Sequence, residues 1–174
     1  MKFIPHDYQQ YAIDYIESHP IAAVLLDMGL GKTAIMLTAL NDLLFDYFEI
    51  NRVLVIAPLR VARNTWPQEI EKWDHLKDIR YSVAVGTEKE RLAAFEKDAD
   101  IYIINRENVQ WMVSHVPFEF DAIVVDELSS FKKPEQQAVQ KPDAGAAEGK
   151  EGHRSDGYPV RQWTDGSVRR VQSP

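Results

Sequence analysis

The chain has 174 residues, a formal net charge of −7 and no cysteine. This length is enough for one domain with a hydrophobic core, and the lack of cysteine excludes a disulfide framework and a thiolate metal site. The negative charge argues against nonspecific wrapping of nucleic acid but leaves room for a local phosphate-binding edge. Since no apolar run approaches membrane-spanning length, we expect a cytoplasmic protein with no membrane partner.

Helical and strand-like patterns alternate along the first three-quarters of the chain. In chain order they predict a helix over 7–18 with Asp7 as its N-cap, a strand over 21–26, a helix from 33 to about 45, a strand over 52–58, a helix over 61–73, a strand over 81–85, a helix capped by Thr87 with Glu90, a strand over 101–104, a helix from 106 to about 113, and a strand over 121–126. Such alternation predicts an α/β fold, a parallel sheet with helices on both faces.

A glycine-containing turn joins the first predicted strand to the second helix. Gly29, Gly31, Lys32 and Thr33 stand where that helix begins. Glycines let several backbone N–H groups point at one phosphate, the helix N-terminus adds its positive dipole end, lysine reaches the β- and γ-phosphates, and the threonine hydroxyl ligates Mg²⁺. The strict pattern for such loops fails at its first position, which is Leu26. We predict a nucleotide-binding loop; the alternative is an ordinary strand-turn-helix with a surface lysine.

Two adjacent carboxylates, Asp126 and Glu127, end the last predicted strand. Ligands of parallel sheets sit at the carboxyl ends of the strands, so Asp126 and the Lys32 loop are expected on one edge despite their separation in sequence. Asp126 would hold Mg²⁺, and Glu127 would orient or deprotonate an attacking water. The alternative is a solvated turn.

Several short runs together resemble one protein family. Asp27-Met28-Gly29-Leu30-Gly31-Lys32-Thr33 resembles motif I of superfamily II helicase-like ATPases of the Swi/Snf-like branch. Tyr8-Gln9 resembles the upstream Q motif, and Ile56-Ala57-Pro58-Leu59 resembles motif Ia. Ile103-Ile104-Asn105-Arg106-Glu107 stands where motif Ib belongs, and Asp126-Glu127-Leu128-Ser129 resembles motif II, as in compact phage-type members.

The resemblance implies one RecA-like lobe over residues 1–134 that binds ATP and Mg²⁺. In the family, ATP hydrolysis drives translocation on, or remodelling of, nucleic acid, and here double-stranded DNA is the expected partner. The resemblance assigns cofactor contacts to Gln9, Met28, Gly29, Leu30, Gly31, Lys32 and Thr33, the metal to Thr33 and Asp126, catalysis to Lys32, Asp126 and Glu127, and nucleic-acid contacts to Pro58, Leu59, Arg60, Asn105 and Arg106. Trp66 and Trp73 share one helical face and are interpreted as core residues.

The sequence departs from the family in two ways. Ser129 replaces the histidine that links nucleotide state to motif III. The chain also ends after one lobe, whereas the family's ATP site lies between two lobes, the second of which supplies arginines. Because such an arginine is worth roughly 10³–10⁵ in rate, we expect nucleotide binding but very slow hydrolysis, with a second lobe on a separate or missing chain.

Two other functions compete with this hypothesis. One is a non-catalytic nucleotide- or DNA-binding fragment, which the missing lobe favours. The other is a small-molecule P-loop kinase, which would need neither Tyr8-Gln9 nor the helix that follows the motif Ia-like run.

Composition changes after Phe131, because residues 132–174 contain no Leu, Ile, Phe or Met. We predict that residues 135–174 are either a disordered tail or out of frame. Shifted by one nucleotide, with synonymous codons allowed, residues 149–159 can read Val-Lys-Arg-Val-Ile-Gly-Leu-Thr-Gly-Thr-Pro, an apolar strand and turn that resembles motif III. The coding DNA past Pro134 decides between the two.

Overall fold

The structure is a computed structural model that describes residues 1–27 and 29–126 with their side chains and residues 167–170 as backbone. Predictions on Met28, Glu127, Leu128 and Ser129 fall outside the described residues, as do those on the tail apart from 167–170.

The elements alternate as the sequence predicts. The helices are α1 (Asp7–Ser18), α2 (Lys32–Asn41), α3 (Trp66–Lys72), α4 (Glu88–Phe95) and α5 (Val109–His115), and the strands are β1 (Ile21–Ala23), β2 (Val53–Ala57), β3 (Tyr81–Ala84), β4 (Ile101–Asn105), β5 (Ala122–Val125) and β6 (Ser167–Arg170). Wide π-type turns over Asp42–Asp46 and Val61–Thr65 extend α2 and precede α3. Short 3₁₀ turns cover Asp74–Leu76 and Arg106–Asn108. Within the described parts of the chain, no helix has both the length and the apolar character needed to cross a membrane.

The first residues of α1 and α4 allow the two predicted N-caps to be compared with the structure. Thr87 caps α4 as predicted, since its N–H donates to Glu90 Oε2 (2.7 Å) and its hydroxyl oxygen accepts from the Glu90 N–H (3.4 Å). The predicted N-cap of α1 is wrong by one residue. Asp7 is already helical, and His6 is the N-cap, with its N–H donating to Gln9 Oε1 at 2.9 Å.

The six strands form one sheet in the order β1-β6-β5-β2-β4-β3. The strands β5, β2, β4 and β3 pair in parallel, which confirms the parallel sheet, while β6 is antiparallel to both of its neighbours. The sequence did not predict β6. Strand β1 is shorter than predicted because β6 pairs only with its residues 21–23.

The register aligns the strand ends. Ser167 of β6 lies opposite both Ala23 of β1 and Val125 of β5, so β1 and β5 run in the same direction and end level with one another. On the other side, Val125 pairs with Ile56 of β2, and β2 ends level with β4. The carboxyl ends of β1, β5, β2 and β4 therefore lie at one edge of the sheet.

Helices cover both faces of the sheet, as predicted. Alternate residues of a strand point to opposite faces, and β2 shows the consequence. Val53, Val55 and Ala57 pack in a core with residues of α1, α2 and α3, whereas Leu54 and Ile56 pack with α4 and α5. All five side chains of β2 are buried, which explains why every residue of the strand is apolar.

A carboxyl pair joins α1 to the turn after α2. Burial, a hydrogen bond with Asp42, and the charges of Asp42 and Asp14 raise the pKa of Glu17 from its ordinary value of 4.5 to about 7. The Tyr47 hydroxyl donates to Glu17 Oε2 at 3.5 Å, and this hydrogen bond lowers the pKa of Glu17, but by less than the other causes raise it. Near neutral pH, Glu17 is therefore partly protonated in the folded chain.

We predict that this pair makes stability fall as the pH rises. A carboxyl whose folded pKa lies above its unfolded value stabilises the fold fully below the unfolded pKa, and that contribution is lost as pH rises through the folded pKa. Between pH 5 and 8, approximately, the free energy of unfolding should fall more steeply in the wild type than in Glu17→Gln. Urea unfolding at several pH values measures the free energy of unfolding of both chains. Glu96→Gln is the matched control, because Glu96 is exposed. Parallel curves for the wild type and Glu17→Gln would contradict the prediction.

Candidate functional site

The loop after β1 takes a shape that favours glycine at two positions. Gly29 has φ 85° and Gly31, the N-cap of α2, has φ 78°. Residues that carry a side chain rarely adopt this left-handed backbone conformation. A Cβ on Gly31 would stand 2.8 Å from Gln9 Nε2, whereas a Cβ on Gly29 would meet no atom within 4 Å. The backbone can thus curl at both glycines, and at Gly31 it also passes close to α1.

Lys32, Thr33 and Asp126 line one small cavity of about 30 Å³. The Lys32 amine donates to the Leu26 carbonyl at 2.9 Å, which holds it within the loop. The Asp126 N–H donates to the Ile56 carbonyl at 2.8 Å, which continues the ladder between β5 and β2 by one step. The structure therefore brings the predicted phosphate-binding and metal-binding residues together.

Trp66 also lines this cavity, which the sequence pattern does not predict. Its side chain is 1% exposed, in keeping with a core residue, but its indole N–H donates to Asp126 Oδ2 at 2.9 Å. A tryptophan on the apolar face of a helix is typical of a core position, and the pattern carries no sign of a polar partner far along the chain.

A second, wider cavity also borders the loop and lies next to α1. The residues that line it are Met1, Lys2, Phe3, Ile4, His6, Tyr8, Gln9, Gly29, Leu30, Gly31, Lys32, Thr33, Ala34, Thr65, Glu69, Lys72 and Trp73. Trp73 packs against the core, as predicted, but it is only partly buried and also borders this cavity. There the Phe3 ring packs edge-on against it, with the ring centroids 5.1 Å apart. The glycine loop thus borders both the small cavity and the wide one.

Gln9 connects α1 to the loop. It is 7% exposed, its Oε1 accepts from the His6 N–H, and its Nε2 donates to the Leu30 carbonyl at 3.3 Å. The Tyr8 hydroxyl donates to the same carbonyl, also at 3.3 Å. The predicted adenine-reading residue therefore borders the wide cavity and contacts the loop directly; its contact with adenine stays a prediction.

The two segments predicted to contact nucleic acid lie at the edge of the sheet that also carries the glycine loop. Pro58, Leu59 and Arg60 follow β2, and both Leu59 and Arg60 are exposed. Asn105 ends β4, where it pairs in register with Ala57 of β2. Strand pairing thus brings the two predicted segments next to each other.

The side chain of Asn105 is occupied within its own turn. Asn105 is 5% exposed, its amide donates to Glu107 Oε2 (2.8 Å), and its Oδ1 accepts from Asn108 Nδ2 (2.6 Å). These bonds shape the turn after β4. The hydrogen bond from Asn105, aided by the Arg106 guanidinium, lowers the pKa of Glu107. Arg106 is the more accessible of the two predicted contact residues.

The cavity residues fit a magnesium ion that arrives with a nucleotide. Among the described residues there is no group of three or more His, Cys, Asp or Glu side chains that could hold a metal by themselves. Magnesium does not need one, since it usually binds one or two protein oxygens together with phosphates and water. Thr33 and Asp126 offer such hard oxygens in the lining of the small cavity.

Fold and site together define an α/β protein with a glycine loop and an acidic strand end, as in P-loop nucleotide-binding domains. The family described as the SNF2-related domain matches residues 14–145, and the chain belongs to this family. The matched segment begins after Gln9 and ends beyond residue 134, where we predicted the lobe to end.

Two relatives support the assignment to the N-terminal lobe of Swi/Snf-like superfamily II proteins. Protein p41 of Acyrthosiphon pisum secondary endosymbiont phage 1 is 38% identical over 133 residues, which is 75% of this chain and 29% of that protein. The structure of the Sulfolobus solfataricus SWI2/SNF2 ATPase core in complex with dsDNA is similar with a TM-score of 0.61 and 27% identity, over 73% of this chain and 26% of that one. The chain thus spans less than a third of either relative.

We predict that Gly31→Ala disturbs Gln9 as well as the loop backbone. The left-handed conformation should cost roughly 1–2 kcal/mol of stability at Gly31 and at Gly29 alike. At Gly31 the added methyl group also displaces the Gln9 amide from the Leu30 carbonyl. Gln9→Ala should therefore destabilise the Gly31→Ala background less than it destabilises the wild type.

Denaturant unfolding of the four chains in this double-mutant cycle measures the coupling, and Gly29→Ala with Gln9→Ala is the matched control. Additive free energies in both cycles would show that Gln9 and Gly31 do not interact.

Proposed function

We propose that this chain supplies the ATP-binding side of a nucleic-acid-dependent ATPase that acts on double-stranded DNA. The observation that carries the proposal is the single cavity shared by Lys32, Thr33 and Asp126, which come from two strand ends far apart in sequence. Membership of the SNF2-related family supports the same reaction class.

Lys32 would bind the β- and γ-phosphates of ATP. Its amine now donates to a neutral carbonyl oxygen, that of Leu26. A phosphate oxygen is the stronger acceptor, because charge-assisted hydrogen bonds are about twice as strong as neutral ones. The left-handed glycines and the start of α2 next to Lys32 would add backbone N–H groups to the same phosphates.

Thr33 and Asp126 would hold the magnesium ion, which when bound neutralises charge on the phosphate oxygens. Glu127 would orient or deprotonate the attacking water. On the wide cavity, we assign the adenine to Gln9, with Leu30 as a neighbouring contact. The cofactor contact of Met28 rests on the family resemblance alone. Since Gln9 donates to the Leu30 carbonyl, the base and the phosphate loop would share a direct connection.

Double-stranded DNA would bind along the sheet edge that carries Pro58, Leu59, Arg60, Asn105 and Arg106. The relative from Sulfolobus was solved with dsDNA, which supports this partner. Because the bonds within the turn occupy Asn105, this side chain would shape the turn. The phosphate contacts of this edge would come from Arg60 and from Arg106, whose Nε also donates to Glu107 Oε1 at 3.4 Å.

Hydrolysis would need a second lobe. Within the part of the chain that the structure describes, no arginine lines either cavity. An arginine in phosphoryl transfer is worth roughly 10³–10⁵ in rate. We therefore propose that this lobe binds ATP but hydrolyses it very slowly until a second RecA-like lobe supplies the arginines. The second candidate function, a binding fragment without turnover, rests on the same observation.

Lys32→Ala should weaken the binding of a non-hydrolysable ATP analogue in the presence of Mg²⁺. Losing a charge-assisted hydrogen bond of about 1.5–3 kcal/mol corresponds to roughly 10–100-fold in the dissociation constant. Isothermal titration calorimetry measures the dissociation constant. The control is Lys89→Ala, because Lys89 is an exposed lysine on α4. Equal affinities of Lys32→Ala and the wild type would refute the proposed phosphate site.

Turnover by the lobe alone separates the two candidate functions. We expect very slow ATP hydrolysis by the lobe alone, both with and without dsDNA, and complete absence of turnover under both conditions would favour the binding fragment. Lys32-dependent turnover that dsDNA stimulates would overturn the expected near-inactivity of the lobe alone. Turnover in the usual enzyme range of about 1–10³ s⁻¹ would instead overturn the need for a second lobe.

Arg60→Ala should weaken dsDNA binding and lower the slope of log affinity against log salt concentration by about 1, as expected for one lost phosphate contact. Fluorescence anisotropy with a labelled duplex at several salt concentrations measures the slope. Lys89→Ala is again the control, and an unchanged slope for Arg60→Ala would remove Arg60 from the DNA contact.

A further inference from the structure

The hydrogen bond between Trp66 and Asp126 joins two elements that contribute to the small cavity. Trp66 is the first residue of α3, and Asp126 follows β5. The indole Nε1 lies 2.9 Å from Asp126 Oδ2. We propose that Trp66 is a positioning residue that sets the Asp126 carboxylate in the orientation needed to bind magnesium. This inference rests on the proposed function, because it assigns a partner to the carboxylate that would hold the metal.

The bond can orient the carboxylate because the backbone of Asp126 is already fixed. Its N–H donates to the Ile56 carbonyl, so only the two side-chain torsions remain to be set. An indole offers a single N–H in one direction and accepts nothing. Donation to Oδ2 therefore selects one side-chain conformation and leaves the other carboxylate oxygen for a metal.

Trp66 itself is held rigidly. It is 1% exposed within the core between the sheet and helices α1, α2 and α3. A proline in the first turn of α3 fixes the start of that helix, and a wide π-type turn precedes it. Such wide turns are frequent at functional sites. The donor thus belongs to the packed core, which makes it a firm support for the carboxylate.

A role in packing alone makes a different prediction from a role in positioning. If Trp66 only fills the core, its replacement should weaken nucleotide binding equally with and without magnesium. If it positions Asp126, the loss should fall on the metal-dependent part of the affinity. Removing the outer partner of a metal ligand typically costs roughly 10–100-fold in metal affinity.

The test compares Trp66→Phe with the wild type. The dissociation constant of a non-hydrolysable ATP analogue is measured once in Mg²⁺ and once in EDTA, and the ratio of the two is the metal enhancement. We expect Trp66→Phe to lower the metal enhancement roughly 10-fold or more and to leave the affinity in EDTA unchanged. The control is Trp111→Phe, which removes an indole that stacks on His115 in α5, and its enhancement should match the wild type. An enhancement retained in Trp66→Phe would overturn the inference.

A second measurement on the wild type applies even if Trp66→Phe fails to fold. The chain has four tryptophans, and Phe substitutions at Trp73, Trp111 and Trp163 assign the Trp66 indole resonance in ¹⁵N-labelled protein by elimination. Adding Mg²⁺ to nucleotide-saturated protein should shift the Trp66 resonance, and this shift should be lost in Asp126→Ala. A Trp66 resonance that does not respond to Mg²⁺ would overturn the inference.

The two proposals fail in distinguishable ways. A wild-type chain that binds no nucleotide in Mg²⁺ would overturn the proposed function and this inference together. Metal-enhanced binding that persists in Trp66→Phe would leave the proposed function intact and remove only the role of Trp66.

Discussion

The ladder between β2 and β5 extends one step beyond the strands, through the bond from the Asp126 N–H to the Ile56 carbonyl. This bond fixes Asp126 at the level where β1 also ends, because Ser167 of β6 lies opposite both Ala23 and Val125. The loop after β1 can then face the acidic strand end across a small cavity. The shared cavity, and the positioning of Asp126 by Trp66, both depend on this register.

The glycine loop is tied to its surroundings on both sides. On one side, Lys32 donates to the Leu26 carbonyl within the loop. On the other, Gln9 and Tyr8 of α1 both donate to the Leu30 carbonyl. Because Gln9 lies so close, a side chain is less well tolerated at position 31 than at position 29. A ligand that moves the loop would therefore also act on α1, whose far end carries Glu17, the partner of Asp42 in the turn after α2.

Residue patterns predicted the elements well because their causes are local. The Thr87 cap, the apolar run of β2 and the helical repeat of α1 each depend on neighbours within a few residues. The N-cap of α1 was placed one residue late, at Asp7, because an aspartate there suits a cap and a first turn equally well. Strand β6 was missed because its residues lie in a polar segment and its place between β1 and β5 depends on long-range pairing.

The sequence alone determined the order of helices and strands up to β5, the parallel arrangement of β5, β2, β4 and β3, and the family, since hydrophobic periods and short motifs depend on neighbouring residues. Only the tertiary structure decided what each polar side chain contacts. It gave Trp66 a carboxylate partner and occupied Asn105 within its own turn. Those partners are set by sheet register and helix packing, which bring together atoms that no local pattern relates.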